Sequence, residues 1–532
     1  MAIELSNLTF TEQDDIVPSS GVKQILTNKG ATNTLAGNDT ITGFYNDDNS
    51  DPSGVNGIYN SGTFNTADGN DIITGRGAYG AAAIYNYETG TFNTGKDNDI
   101  ITAQGSLIGI YNTGTFNTDE GNDIINASGS DLADKSDLRA GIYNTGTFNT
   151  GEGGDVITAG GISKGINTSG TFNTGEGDDV ITGKGTFFEG IFIGGIFDTG
   201  DGNDRISGSS SSIGFSTASG ISNSSTFNTG DGNDTIEGRG FYGIYNKALI
   251  DTGNGKDIIT ANSAVNSVLS AFISDESASI YNSGTINTGS NDDIITSTGV
   301  ITYSYGVIKS GTGISNEGTI DTSDGNDSII SEGSFINKGN VFLGEGNDSI
   351  TASIIAEVGF PNRALENFNA IETGDGNDTI TSAGAIYNEG IITTGNGDDS
   401  IIVDGGTDDI TGTTYAIYNN GGAINMGDGN DSIIANEGFE SAPNSSGAWF
   451  LGEGEDYIKG YGSGDFYGGN GFDTLELTPG TYTVGIWGEG GESPIFTKGD
   501  QLMITSEFEQ LKAGSTIYDF SSLIAGQIIT VA

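Results

Sequence analysis

The sequence predicts an all-β fold: a right-handed parallel β-helix or β-roll solenoid of about 17 coils with short N- and C-terminal caps. Three observations carry this. Near-copies of "TFNTADGNDIITG" at 63–75 return down the chain, for example "TFNTGEGDDVITG" at 171–183 and "TFNTGDGNDTIEG" at 226–238. A second element, "GIYNSGTFN" at 57, recurs between them as "GIYNTGTFN" at 109 and 141 and as "SIYNSGTIN" at 279. Glycine supplies 90 of 532 residues, and no helical period of useful length is present.

Each element follows from residue type. Gly-Ile-Tyr-Asn and Thr-Phe-Asn-Thr are short runs rich in β-branched and aromatic residues, bounded by Gly or Asn, and so predict strands. The x-Gly between them predicts a corner. Gly-Asp-Gly-Asn-Asp predicts a turn, and the x-Ile that follows begins a third strand. Alternation puts Ile58, Phe64 and Ile73 on one face, with Tyr59, Thr63 and Asn65 opposite. The position after each turn varies (Ile72, Arg205, Thr235, Ser328), as a solvent-facing site tolerates. The next one holds Ile (Ile73, Ile206, Ile236, Ile329), as a core requires. A unit with one apolar row per strand cannot bury that row alone and must stack on copies of itself. Parallel crossovers make the stack right-handed. Seventeen coils at ~4.8 Å each predict a rod of roughly 80 Å. Longer gaps, such as 129–140 and 353–370, are expected as corner loops.

The last Asp of each turn anchors the repeat: Asp39, Asp71, Asp99, Asp123, Asp155, Asp179, Asp204, Asp234, Asp257, Asp293, Asp327, Asp348, Asp378, Asp399, Asp431, Asp456 and Asp473. Gaps run from 17 to 36 residues and average about 27. The expected organisation is an N-terminal cap or joining segment at 1–30, the solenoid at 31–474, and a C-terminal β cap at 475–532.

Composition narrows the chemistry. With 71 Asp and Glu against 18 Lys and Arg the formal charge is −53, which repels nucleic acid and anionic membranes and attracts cations. There is no Cys and no His, excluding disulfides, Cys-ligated zinc and Ser-His-Asp triads. No run of eighteen apolar residues predicts a membrane span. The N-terminal stretch "MAIELSNLTFTEQDDIVPSS" lacks the pattern of an ordinary signal peptide.

The segments "GEGEDYIKG" at 452–460, "YGSGDFYGG" at 461–469 and "NGFDTLELT" at 470–478 resemble successive calcium-binding nonapeptides of the repeats-in-toxin family. Upstream copies keep the half G-[DE]-G-N-D-x-I at wider spacing. The resemblance implies Ca2+ as ligand, with turn carbonyls and the seventeen anchor Asp carboxylates binding it between neighbouring coils. It also implies export by a type I machine reading the C-terminal tail, and folding outside the cell, where calcium is plentiful. The physics is compatible, because calcium takes six to eight oxygens and glycine turns aim carbonyls into one hollow. Stacked carboxylates ~5 Å apart repel by roughly 3 kcal/mol per pair at an effective dielectric of 20. Further acids sit three residues earlier in many copies (Asp68, Glu176, Asp201, Asp231, Glu345, Asp375, Asp428, Glu453). Gly-Asn-Asp is also ordinary turn chemistry, and two copies depart from the pattern, with Asn291 before Asp293 and Lys256 beside Asp257.

The expected function is that of a secreted calcium-binding structural protein, a rod for a surface layer, sheath or filament that joins copies of itself end to end. Cell-surface polysaccharide is a further candidate partner. Two alternatives stay open. One is an adhesion or ice-binding module using the outward Thr63/Asn65, Thr91/Asn93, Thr115/Asn117 and Thr147/Asn149 ladder. The other is a polysaccharide-active β-helix enzyme, disfavoured by scattered Lys and Arg and by the missing His. The chain is expected not to be an enzyme.

Overall fold

The computed structural model describes residues 2–18, 25–44, 55–78, 80–130, 139–211, 218–263, 278–299, 302–304, 307–309, 311–355, 362–407, 413–441, 447–488 and 493–532. It falls into two compact units, Met1–Asn266 with Gly284–Asn287, and Ser267–Ser283 with Thr288–Ala532. Each is a parallel β-solenoid. The helical turns among the described residues are Leu5–Asn7 and Phe520–Ser522.

In the first unit a coil runs Ile58–Asn60, Thr63–Asn65, Ile72–Arg76, and the next runs Ala82–Asn86, Thr91–Asn93, Ile100–Gly105. The repeat stacks in register. Tyr59 pairs with Tyr85, Phe64 with Phe92, and Ile73 with Ile101. Each coil thus contributes one strand to each of three parallel sheets, which we call the Tyr, Phe and Ile sheets. Register is fixed because a one-residue slip would turn the apolar row outward.

The core is three apolar columns. Ile58, Phe64 and Ile73 are at most 1% exposed, and the alternation read from the sequence holds, with Tyr59, Thr63 and Asn65 facing out. From Phe92 to Phe197 successive rings lie 4.6–4.9 Å apart within 4° of parallel. Buried polar groups are columnar too. Asn60, Asn86 and Asn112 sit at the corner, each donating to the Asn Oδ1 of the following coil at 2.8 Å and to a Thr carbonyl at 2.7–2.9 Å. The amide therefore satisfies a buried corner that an aliphatic side chain would leave unpaired. Glycine is required where coils touch most closely. A Cβ on Gly62 would sit 1.9 Å from the Gly30 carbonyl oxygen.

The unit begins earlier than the first recognisable repeat. Ile3–Glu4 pairs with Leu26–Asn28, and Ile16–Val17 with Thr40–Phe44. The loop at 129–140 falls largely outside the described residues.

The second unit continues the pattern with aliphatic residues in the Phe column (Ile320, Val341, Ile371, Ile392, Ile424), ending in Trp449 stacked on Phe466 at 4.4 Å. The stretch 353–370 corrects the loop reading. Its second half enters the Tyr sheet as Arg363–Asn367, paired with Ser334–Asn337 and Ala385–Asn388, because Leu365 and Asn367 supply the buried pair that the corner needs. The middle nonapeptide is likewise not a turn. Gly464–Gly471 is a strand of the Phe sheet, with Asp465 opposite Ala448. The tail stacks further strands in parallel, Gln501–Ser506 on Gly464–Gly471 and Gln510–Ala513 on Thr474–Leu477. Gly480–Trp487 then pairs antiparallel with Ser493–Lys498 and Ile528–Val531.

Truncating a column should cost far more than trimming the outer face. Phe148→Ala is expected to destabilise the first unit by about 3–5 kcal/mol, and Thr147→Ala by less than about 0.5 kcal/mol. Chemical denaturation followed by circular dichroism measures both.

Candidate metal centre

The turn places two consecutive peptide groups where no sheet partner reaches them, and the Asn-Asp dipeptide solves both. The anchor Asp turns inward and back: the Asp39 amide donates to Asp71 Oδ1 at 2.7 Å, and Asp71 to Asp99 Oδ1 at 2.8 Å. The same bond joins Asp99 to Asp123, Asp123 to Asp155, Asp155 to Asp179, Asp179 to Asp204, Asp204 to Asp234 and Asp234 to Asp257, all at 2.7–2.8 Å. In the second unit it links Asp293, Asp327, Asp348, Asp378, Asp399, Asp431, Asp456 and Asp473 in order, at 2.7–2.9 Å. The residue before the anchor turns outward and forward. Asn38 Oδ1 accepts the Asn70 amide at 2.8 Å, and Asn98 Oδ1 accepts that of Asn122 at 2.7 Å. One column is buried and one exposed, and they point in opposite directions along the stack.

All seventeen anchors are at most 1% exposed. One carboxylate oxygen receives the amide. The other, Oδ2, is buried without a hydrogen-bond partner at Asp39, Asp71, Asp99, Asp123, Asp155, Asp179, Asp204, Asp234, Asp327, Asp348, Asp378, Asp399, Asp431, Asp456 and Asp473. Thr66 stands beside Asp71, but its one proton goes to the Thr94 carbonyl at 2.9 Å. Burial dominates the ionisation of these acids, outweighing the nearby Thr hydroxyl and the accepted amide. It raises Asp71 to about 7, Asp99 and Asp179 to about 8, and Asp123 to about 6.

The second turn glycine brings the coils together. Gly153 has φ +137°, and a Cβ there would lie 1.8 Å from the Gly121 carbonyl oxygen, so that carbonyl points along the column at the next coil. Asn291, in place of a glycine, holds φ +90°, a conformation that Asn tolerates better than most residues. Lys256 needs no acceptor of its own for its amide, which Asn233 Oδ1 takes at 2.9 Å. No three His, Cys, Asp or Glu side chains gather round one point among the described residues. A cation at the column would therefore draw most of its oxygens from the backbone.

Two column members escape the motif. The Asp15 amide donates to Asp39 Oδ1 at 2.8 Å, while Asp14 Oδ1 accepts the Asn38 amide at 2.9 Å, so "DDIV" is a turn in which Gln13 replaces glycine. At the other end Glu509 Oε2 accepts the Asp473 amide at 2.8 Å. "FEQL" at 508–511 repeats "FDTL" at 472–475 with the acid one carbon longer. The apolar frame after the acid was the available signal in both cases. The Asn members of the outward Thr/Asn ladder bond to each other, Asn93 to Asn65 at 3.0 Å and Asn149 to Asn117 at 2.8 Å.

No family model and no curated protein matches this sequence. Among solved structures it is similar to a hyperactive, Ca2+-dependent, beta-helical antifreeze protein from an Antarctic bacterium. That similarity amounts to 19% identity over 66% of this chain and 82% of that one, with a TM-score of 0.35, a likeness too distant to carry function.

The raised carboxyl values fix a sign. A group held above its unfolded pKa stabilises the fold fully below that unfolded value, and the contribution is lost as pH rises through the folded value. In chelator, thermal stability should therefore fall as pH climbs from about 6 to about 8. Asp99→Asn keeps the Oδ1 acceptor and removes the charge, so in chelator at pH 8 it should melt higher than the parent. Melting curves across pH measure both.

Proposed function

We propose that the anchor column binds Ca2+ and that the filled column makes each solenoid unit rigid. The single observation behind this is a contrast between two columns whose Asn and Asp members make the same kind of bond. The exposed column takes Asn, Asp, Gly, Lys, Glu and Phe, whereas the buried one uses Asp at all seventeen anchors. A neutral amide would serve the hydrogen bond as well, at no desolvation cost. A cation is what an amide cannot serve. The partnerless Oδ2 atoms fit it: each is an unsatisfied, buried oxygen of the hard type that calcium prefers. The anchor Asp residues, with turn carbonyls, would hold the ion. When bound, it neutralises the stacked charges and cross-links adjacent coils; the chain's residues supply the register.

The role we infer is extracellular and structural, since most Ca2+ sites of this kind fill only where calcium is abundant. Support comes from repeats that occupy most of the chain, from a surface with few and scattered bases, and from the strand edges that a solenoid end offers to another chain. Export, self-assembly into a layer, sheath or filament, and contact with cell-surface polysaccharide belong to the same proposal, as does the absence of catalysis.

A calcium titration at pH 8 tests the ion. Chelated protein should give a weaker β signal by circular dichroism and a lower melting temperature, and gain both cooperatively at millimolar calcium; a chain as fully folded and as stable in chelator as in calcium contradicts the proposal. Electron microscopy of the loaded protein then tests assembly, for which dispersed short particles alone would be the contrary result.

A second reading, binding to ice, is favoured by one surface. On the Ile sheet, Ile72, Ile100, Ile124, Val156 and Val180 are 37–44% exposed and in register, beside Thr74, Thr102, Asn126, Thr158 and Thr182. Over these five coils the two rows carry no charge on a chain of −53, before Arg205 and Glu237 enter them in the following coils, and they are regular where the Asn ladder is already bonded to itself. The reading expects thermal hysteresis that Thr102→Lys removes; freezing behaviour identical to a control protein would sink it.

A further inference from the structure

The outward row of the Tyr sheet has no part in the calcium column. Tyr59, Tyr85, Tyr111 and Tyr143 occupy equivalent positions in four successive coils and pair directly across the parallel ladder. Their rings are half-buried, with centroids 5.5, 4.7 and 5.1 Å apart. The middle pair, Tyr85 and Tyr111, lies within 7° of parallel, while the outer two rings turn edge-on. Cross-strand packing accounts for a row of aromatic residues, but not for what this row exposes. Several other tyrosines are engaged. Tyr387 is covered by the Arg363 guanidinium at 3.9 Å and bonded to Glu389 and Asn420; Tyr281 donates to Glu317 at 2.9 Å, Tyr457 to Glu476 at 3.0 Å, and Tyr482 to the Thr478 carbonyl.

The chain's redox composition sharpens the point. It has 20 Tyr but no Cys, no His, 3 Met and 2 Trp. Met426, Met503 and Trp449 are fully buried, which leaves Trp487 as the exposed Trp. Phenol is thus the chain's main accessible electron donor, and it is most concentrated where rings already touch.

We propose that the Tyr59–Tyr143 row is a site of oxidative cross-linking, in which Tyr85 and Tyr111 are joined by a carbon–carbon bond between their ring carbons ortho to the hydroxyls. The oxidant is hydrogen peroxide acting through a haem peroxidase. Each phenol gives up one electron and one proton to become a phenoxyl radical. The two radicals couple at the ortho carbons, and the two ring hydrogens displaced there return to the phenol oxygens as the rings regain aromaticity. In sum, two phenols lose two electrons and two protons, and one peroxide is reduced to two waters. The bond ties residues 26 positions apart in sequence and one coil apart in space, a covalent staple in a chain that has no disulfide. The proposal stands independently of the calcium reading, because it rests on ring geometry and on the chain's content of oxidisable side chains.

The test treats the folded full-length chain with hydrogen peroxide and a haem peroxidase. The readouts are blue dityrosine fluorescence in the monomer fraction and peptide mapping by mass spectrometry. The expected product is a peptide pair joining Tyr85 to Tyr111 with two hydrogens fewer than its separate parts. Tyr85→Phe and Tyr111→Phe, which keep the ring and the packing, should each remove most of the monomer's fluorescence, and Tyr387→Phe should leave it unchanged. Absence of dityrosine, or monomer fluorescence that survives the Tyr85→Phe/Tyr111→Phe double variant with β signal intact, overturns the proposal.

Discussion

One hydrogen bond organises both units: the amide of an anchor Asp donating to the carboxylate of the anchor in the next coil, as from Asp71 to Asp99. It is short, buried and repeated, and it fixes which coil lies against which. The core columns follow from it, because a turn locked in register delivers Ile73 over Ile101. The glycines follow as well. Coils held this closely leave no room for a Cβ at Gly62 or Gly153. A buried carboxylate is a costly way to accept an amide, and a carboxyl drawn up to about 8, as at Asp99, shows how strongly this environment resists the bare charge. Either a proton or a cation must answer for it, and the two act in opposite directions across the neutral range.

Much of the architecture was legible in the sequence because its signals are local and repeated. Strands, corners and turns each had their own residue types, and alternation gave the inward face correctly at Ile58, Phe64 and Ile73. The anchor acids were legible too, by frame. What stayed hidden was direction. Nothing in Gly-Asn-Asp says that Asn reaches forward and Asp backward, since both side chains are short, polar and at home in turns. That fact depends on the neighbouring coils, which a single repeat does not contain.

The misread stretches share a cause. Within 353–370, gap length alone predicts a loop, and Glu366 stands opposite Tyr387 of the next coil, yet packing asks only for its inward neighbours Leu365 and Asn367. Asp15 and Glu509 went unseen because a turn motif was sought, and each lacks its glycine while keeping its bond. Outward identity is a weak guide in a solenoid. The inward residue and the acid decide membership.

The polarity of the inner column has a temporal consequence. Within each unit the linked anchor amides find their acceptors in the coil that follows in sequence, so a chain emerging N-terminus first ends on a coil whose amide is still waiting. In the second unit completion passes down the polypeptide one coil at a time from Asp293 and closes at Glu509. A truncated product is therefore not a shorter finished protein but an interrupted one, with its last buried donor open to water or to whatever strand arrives next.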